Sequence, residues 1–303
     1  MQHPSEAPTP LLHRLALFIA LTVAFVLISA VCAIVLGTIS GWFIKGFLNT
    51  TLREFIYDWT IALLSVLIST RIIDAFQWQL GWRGMGFTKV RLWSSLRQGA
   101  LTAALILLAC FIILLIGGWV QVTGLHFSAG ALLGWLLFFI IQPLTEEIVM
   151  RSFLQNQLHR LFGPWVGLLL SAIVFGLLHL GNNAFTWIAG LEIMAGGLLM
   201  GLLFLRTQNI WAAFAMHAVW NFFQSVVLGF AVSGLGTYQL LHLQVEGPDW
   251  LTGGEFGLEG SLLSLVFLLL GIAYFWSASK NAVPYLAYAP EKENLLDDES
   301  NSV

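Results

Sequence analysis

Long apolar runs separated by short polar stretches organise this chain from residue 11 onward. A helix needs about 20 mainly apolar residues to cross a bilayer, and about eight stretches approach that length. They fall at 14–37, 55–75, 99–119, 129–150, 164–182, 186–205, 209–230 and 261–279. The pattern predicts an all-α membrane protein with about eight transmembrane helices. The first run starts behind Arg14 and ends among small residues at 30–33, as a secretion signal would. Its apolar length exceeds the ~7 to 15 residues of a signal core, so it reads as a retained helix.

Between the runs, "FQWQLGWRGMGFTKVRLWSSLRQ" at 76–98 mixes tryptophan and phenylalanine with basic residues. That suits either a helix lying in the membrane interface or an aromatic-belt loop. The final "EKENLLDDESNSV" is acidic and polar and reads as a disordered tail. No internal repeat or soluble domain stands out. The chain divides into N-terminal helices with the interfacial segment (1–126), a core holding most of the polar anomalies (127–230), and an outer loop, last helix and acidic tail (231–303).

Composition agrees with the pattern. Of 303 residues 58% are hydrophobic and 10% charged, against roughly a quarter charged in a soluble domain, which excludes an ordinary water-soluble globule. The net charge of −3 matters less than the placement of Lys and Arg in short loops, which sets orientation. With the amino terminus inside, Arg14, Arg71, Arg83, Lys89, Arg91, Arg97, Arg151, Arg160, Arg206, Lys280 and Lys292 fall on inner segments, and Lys45 and Arg53 fall outside. Both termini are expected to be cytoplasmic. The 231–260 loop, with Glu246, Asp249, Glu255 and Glu259 but no Lys or Arg, fits the outer face. Cys32 and Cys110 sit in apolar spans without metal or disulfide spacing.

Ionisable residues inside spans are costly and mark function. Here they are Glu146, Glu147 and Arg151 on span four, His179 on span five, Glu192 on span six, and His217 with Asn221 on span seven. Glu147 and Arg151 are four apart with Glu first, the favourable order for an ion pair on one helix face. Glu146 lies about 100° round the helix, outside that pair and free for chemistry. Pro143 denies a helical hydrogen bond to the carbonyl of Phe139 and is expected to kink the helix.

Depth brings the groups together. "RSFLQNQLHR" at 151–160 continues the helix to a turn at "FGP", 162–164, so Glu146 and His179 both lie about 25 Å from that turn and face each other. Span seven starts near Asn209, placing His217 about 12 Å below the cytoplasmic face, a level that matches if the four–five hairpin projects roughly 10 Å from the membrane. "GNN" at 181–183 then lies at membrane depth, tolerable against protein or a water-filled chamber. His217 and Asn221, also four apart, share a face. The expectation is a polar cavity of catalytic type between helices four, five and seven. A carboxylate, two imidazoles and a carboxamide suit activation of water: Glu as general base, His as orienter or metal ligand, Asn as oxyanion stabiliser. Glu192 is left unassigned.

The three motifs then align with a family. "EEIVMR" at 146–151, "FGLLH" at 175–179 and the His217 to Asn221 pair resemble the EExxxR, FxxxH and His-x-x-x-Asn pattern of the CPBP intramembrane metalloproteases, also called the Abi or CAAX-protease-like family. The resemblance covers about residues 127–230. It implies that Glu146 activates water, that His179, His217 and Asn221 complete the site, and that Glu147 with Arg151 supports it. It also implies proteolysis of a membrane-associated substrate. Eukaryotic relatives remove the last three residues of prenylated CAAX proteins, but many bacterial ones act otherwise or serve as immunity factors or scaffolds, so that substrate is not carried over.

Zincin-type HExxH spacing is absent. His179, His217 and Glu146 form a set that binds zinc with an open position for water, or the same groups activate water with no metal; both stay open. GxSG and GxGD, the marks of serine and aspartyl intramembrane proteases, are missing too. The expected partners are a membrane-associated protein or peptide substrate and the lipid bilayer, with no nucleic acid. Competing readings are a non-catalytic membrane scaffold, chaperone or immunity-type protein on the same fold, and a transporter lined by Glu192, His179 and "GNN". A scaffold has no need of a costly buried Glu and two His, and no repeat symmetry supports a transporter.

Overall fold

The computed structural model describes residues 10–44 and 51–279. Lys45, Lys280, Lys292 and the acidic tail lie outside the described residues. The fold is mostly helical. In chain order it has α1 (Leu11–Ile44), α2 (Thr51–Trp78, its last turn π-helical), α3 (Leu92–Ile116), β1 (Val120–Leu125) and α4 (Ala129–Phe162). There follow α5 (Pro164–Leu177), α6 (Trp187–Thr207), α7 (Ile210–Val227), β2 (Leu241–Val245) and α8 (Leu262–Ser279).

Each predicted apolar run falls on a helix. Six of them, α1 to α4 with α6 and α7, are long and apolar enough to cross a membrane, whereas α5 and α8 are shorter. The shortness of α5 changes the site. It was expected to run to 182, but it ends at Leu177, so His179 sits in the turn after the helix and not within a span. Two glycines and two asparagines in "GLLHLGNN" offer little to continue the helix, because glycine exposes backbone and asparagine favours turns.

Helix α4 is 34 residues long, about 50 Å at 1.5 Å per residue, well beyond the ~30 Å hydrocarbon core. Ser128 caps it, accepting from the Ala131 N–H. Pro143 sits inside it without ending it, and the helix widens into a π-helical stretch at Ile148–Gln155. A second π stretch, Phe222–Val227, follows Asn221 on α7. Wide turns of this kind concentrate at functional sites. Between α4 and α5, Gly163 takes a φ of 97° and Pro164 opens α5, the position where a missing N–H costs nothing.

Close packing fixes α3 and α6 around the core. A Cβ on Gly99 of α3 would strike the backbone of Ala212 on α7, and one on Gly197 of α6 would lie 3.3 Å from Ala172 of α5. Small residues let membrane helices approach in this way. Apolar α1 is tied down by Ser29 to Ser69, by Gln157 to the Phe18 carbonyl, and by Phe25 stacked 4.0 Å from Phe153.

The 76–98 segment is not a helix lying in the interface. After α2 it contains one short helical turn, Gly81–Gly84, and then an aromatic loop until Leu92. That loop docks on the start of α7, where Trp211 Nε1 donates to the Thr88 carbonyl, and Asn209 Nδ2 donates to Ser95 Oγ in the first turn of α3 at 2.8 Å.

The fold also departs from all-α. β1 and β2 pair antiparallel from Val120↔Val245 to Leu125↔Leu241, with an irregularity between Val122 and Gly124. The pair ties the chain before α4 to the loop after α7.

Candidate active site

Two glutamates that adjoin in sequence part company in space, because successive helical residues point about 100° apart. Glu147 turns into protein and is fully buried with Arg151, its Oε2 accepting from Arg151 Nε at 2.9 Å. Its Oε1 lies 2.9 Å from His217 Nδ1 on α7. Since that carboxylate is bonded to Arg151 and accepts only, Nδ1 carries a proton, and Nε2 is the ring nitrogen that faces Glu146. Arg151 continues to Gln155 Oε1 at 3.1 Å, Gln155 reaches the Gly201 carbonyl on α6, and the guanidinium lies 6.0 Å from the Phe175 ring.

Glu146 points into a cavity of about 700 Å³ with its side chain 20% exposed. Its Oε1 accepts from Gln142 Nε2, one turn earlier on α4. Its Oε2 is buried without a partner and lies 3.7 Å from His217 Nε2, too far for a direct hydrogen bond. Asn221 Nδ2 donates to Gln142 Oε1 at 3.2 Å. Glu146, His217 and Asn221 thus meet in one polar cluster, with Gln142 between the first and the last.

His179 lines the same cavity, its Nδ1 2.7 Å from the Phe175 carbonyl. A carbonyl accepts only, so Nε2 is the free atom here too. Phe175 joins the two histidines: its ring lies 4.8 Å from that of His179 and 5.7 Å from that of His217.

The lining extends past the three expected helices. Phe55 and Trp59 of α2, Glu192 of α6, Leu268 of α8, and Ser233 and Glu259 from the loop between β2 and α7 or α8 contribute to it. Gly181, Asn182 and Asn183 line it as well, and Asn182 donates to the Ser233 carbonyl. Glu259, expected on a solvated outer face, is instead buried, accepting from Trp220 Nε1 at 3.1 Å and from Ser233 N–H and Oγ. Burial pushes its carboxyl above the ordinary carboxylate range, against the lowering effect of the Ser233 bonds. Glu192 accepts from Ser264 Oγ at 2.7 Å. Gln142 is a polar site group that the sequence motifs leave out, although it stands four residues before Glu146 and so shares its face.

The imidazoles suit metal ligation in one respect, since each has Nδ1 tied to an oxygen and Nε2 open, and Glu146 Oε2 is open too. The described residues nevertheless gather no group of three or more His, Cys, Asp or Glu side chains that could hold a metal ion.

Apolar helices and a buried polar cluster define the class as a polytopic membrane protein with a hydrolase-like site. Residues 128–223, which carry all three motifs, match the family model for Type II CAAX prenyl endopeptidase Rce1-like proteins. The match is confined to residues 128–223 and makes that segment similar to the CPBP, or CAAX protease, family. Comparison with curated proteins and with solved structures gave no match.

Proposed function

We propose that the chain is an intramembrane endopeptidase that hydrolyses a peptide bond of a membrane-associated substrate, with Glu146 as general base. One observation carries this reading: a buried carboxylate oxygen without a hydrogen-bond partner facing an imidazole nitrogen at 3.7 Å in the cavity. A water lying against both atoms gives one proton to Glu146 Oε2 while His217 Nε2 accepts its other O–H. Its oxygen bonds to the scissile carbon and the carbonyl π pair moves onto the oxygen. Asn221 has one amide hydrogen left beside its bond to Gln142 and donates it to the oxyanion. Glu146 then returns the proton to the leaving nitrogen as the C–N bond breaks, which restores the base.

His179 contributes a free Nε2 on the cavity wall. His179, His217 and Glu146 would have to draw closer together to hold zinc, which would then supply Lewis acidity toward water. Zinc content of the purified chain separates the two versions: about one zinc per chain that is lost in His217→Ala means a metalloenzyme, and zinc-free protein with full activity means a glutamate enzyme. Both termini are placed in the cytoplasm on the strength of the basic residues between α2 and α3 and around the α4–α5 turn. A cysteine introduced at exposed Gly236 then reacts with an impermeant thiol reagent only from outside, and labelling only from inside reverses the topology.

The activity test compares membrane-protein termini by mass spectrometry in cells carrying wild type or Glu146→Gln. New termini that appear with wild type and vanish in Glu146→Gln and His179→Ala support the enzyme and identify its substrate. Identical termini, with a wild-type phenotype retained in Glu146→Gln, overturn it.

A further inference from the structure

The general base in this reading does not hold itself. Gln142 lies one helical turn before Glu146, so the two side chains share a face, and both line the cavity. Its amide has two ends with opposite needs, a donor at Nε2 and an acceptor at Oε1. Nε2 donates to Glu146 Oε1, and Oε1 accepts from Asn221 Nδ2 at 3.2 Å. Turning the amide over would set its oxygen against the Glu146 carboxylate and its NH2 against the NH2 of Asn221. Turning both amides would satisfy Asn221 and still leave an oxygen facing the carboxylate. One arrangement alone satisfies all three groups.

Resting on the endopeptidase reading, we infer that Gln142 is a positioning residue, which transmits the orientation of Asn221 to Glu146 and leaves Glu146 Oε2 as the oxygen that meets water. The consequence is geometric. With Oε1 occupied by Gln142, the carboxylate cannot rotate freely, and its unpartnered oxygen stays on the side of His217 Nε2, 3.7 Å away. A base held within about half an ångström of its productive position works far better than a mobile one. The pairing also links α4 to α7, since Asn221 lies 79 residues beyond Gln142. Asn221 therefore acts in two directions, with one amide hydrogen on Gln142 and the other available to the substrate.

Gln142→Met keeps the length and bulk of the side chain while removing both hydrogen bonds. It is assayed in the full-length chain, purified in detergent, on a peptide that spans the cleavage site identified from the termini comparison. kcat falls about 10–100-fold, as for loss of a group that orients a reacting residue, and KM changes less than about threefold, because ground-state binding is untouched. The thermal unfolding midpoint stays within error of wild type, which a merely structural role would not allow alongside such a loss.

Asn221→Asp supplies a second, nearly isosteric variant. The new carboxylate draws Gln142 Nε2 toward itself and turns Gln142 Oε1 toward Glu146, so kcat falls again. Asn221→Asp also removes the oxyanion donor, so its loss is the larger of the two, and adding Gln142→Met to it lowers kcat little further because the link is already broken. Wild-type kcat in Gln142→Met, or losses that multiply in the double variant, overturn the inference while leaving the endopeptidase intact. A wild-type chain that cleaves nothing overturns both.

Discussion

His217 Nδ1 lies 2.9 Å from one oxygen of Glu147, and Arg151 Nε lies 2.9 Å from the other. One carboxylate thereby neutralises a buried cation and sets the tautomer of an imidazole on a different helix. The pair is a clamp, as its spacing suggested, and also the device that turns His217 Nε2 toward Glu146.

Removing the cation exposes the cost of this arrangement. Arg151→Met leaves Glu147 fully buried with its charge opposed by no guanidinium, and breaking a buried pair in this way costs about 3–5 kcal/mol. The variant is expected to unfold at markedly lower temperature in detergent. Arg151→Lys restores the charge but not the bonds from Nε to Glu147 and from Nη1 to Gln155, so it recovers part of the loss. An unchanged midpoint in Arg151→Met would show that Glu147 is neutral or solvated.

Phe175 is the apolar partner of the same cluster. Its ring touches both imidazoles and lies under the Arg151 guanidinium, so the aromatic residue of "FGLLH" is a packing wedge between site residues. Phe175→Ala is expected to cost about 3–5 kcal/mol and to depress cleavage by more than the fraction unfolded accounts for. Calorimetry together with an activity assay at a temperature where the variant is fully folded checks both parts. Wild-type activity in the folded variant would confine Phe175 to stability.

Gly99 controls how closely α3 approaches α7, the helix that carries His217 and Asn221. A Cβ there meets the carbonyl of Ala212 and lies 2.8 Å from the Met216 amide, and backbone cannot swing aside as a long side chain can. Gly99→Ala is expected to destabilise by about 1–3 kcal/mol. Gly130 on α4 has nothing within 4 Å of the same atom, so Gly130→Ala leaves the unfolding midpoint unchanged or slightly raised. Equal midpoints for the two variants would mean that α7 moves away from α3 without cost.

Most helices were legible because apolar length is a local property, and each long run became one. The i,i+4 pairing of Glu147 with Arg151 was legible for the same reason. Features decided by distant partners were not. β1 and β2 are short strands about 120 residues apart, with no local signal to distinguish them from loop. The end of α5 at Leu177 was hidden by the apolar continuation "LLHL". Gln142 stood beside the glutamates that drew notice, but its role depends on Asn221. Glu259 looked like a solvated loop charge until Trp220 and Ser233 supplied its partners.

Glu259 deserves a test of its own because it holds the outer loop to the site helix. Trp220 sits on α7 between His217 and Asn221, and its indole donates to Glu259, while Ser233 supplies two more donors from the segment just after α7. Glu259→Ala leaves a buried indole N–H without an acceptor, at about 1–3 kcal/mol, and a half-buried backbone N–H at less than that. The cost falls on local opening, since the Trp220 bond joins the loop at 231–260 to α7 and the Ser233 bonds tie the two ends of the loop together. The loop is expected to become a site of rapid proteolytic nicking in Glu259→Ala while the helices stay protected. Trp220→Phe, which removes one of the three donors, gives an intermediate rate. Mass spectrometry of timed digests locates the cuts. Wild-type nicking rates in Glu259→Ala would mean that the loop's other ties, among them the β1–β2 pairing and the bond from Asn182 to the Ser233 carbonyl, secure it without Glu259.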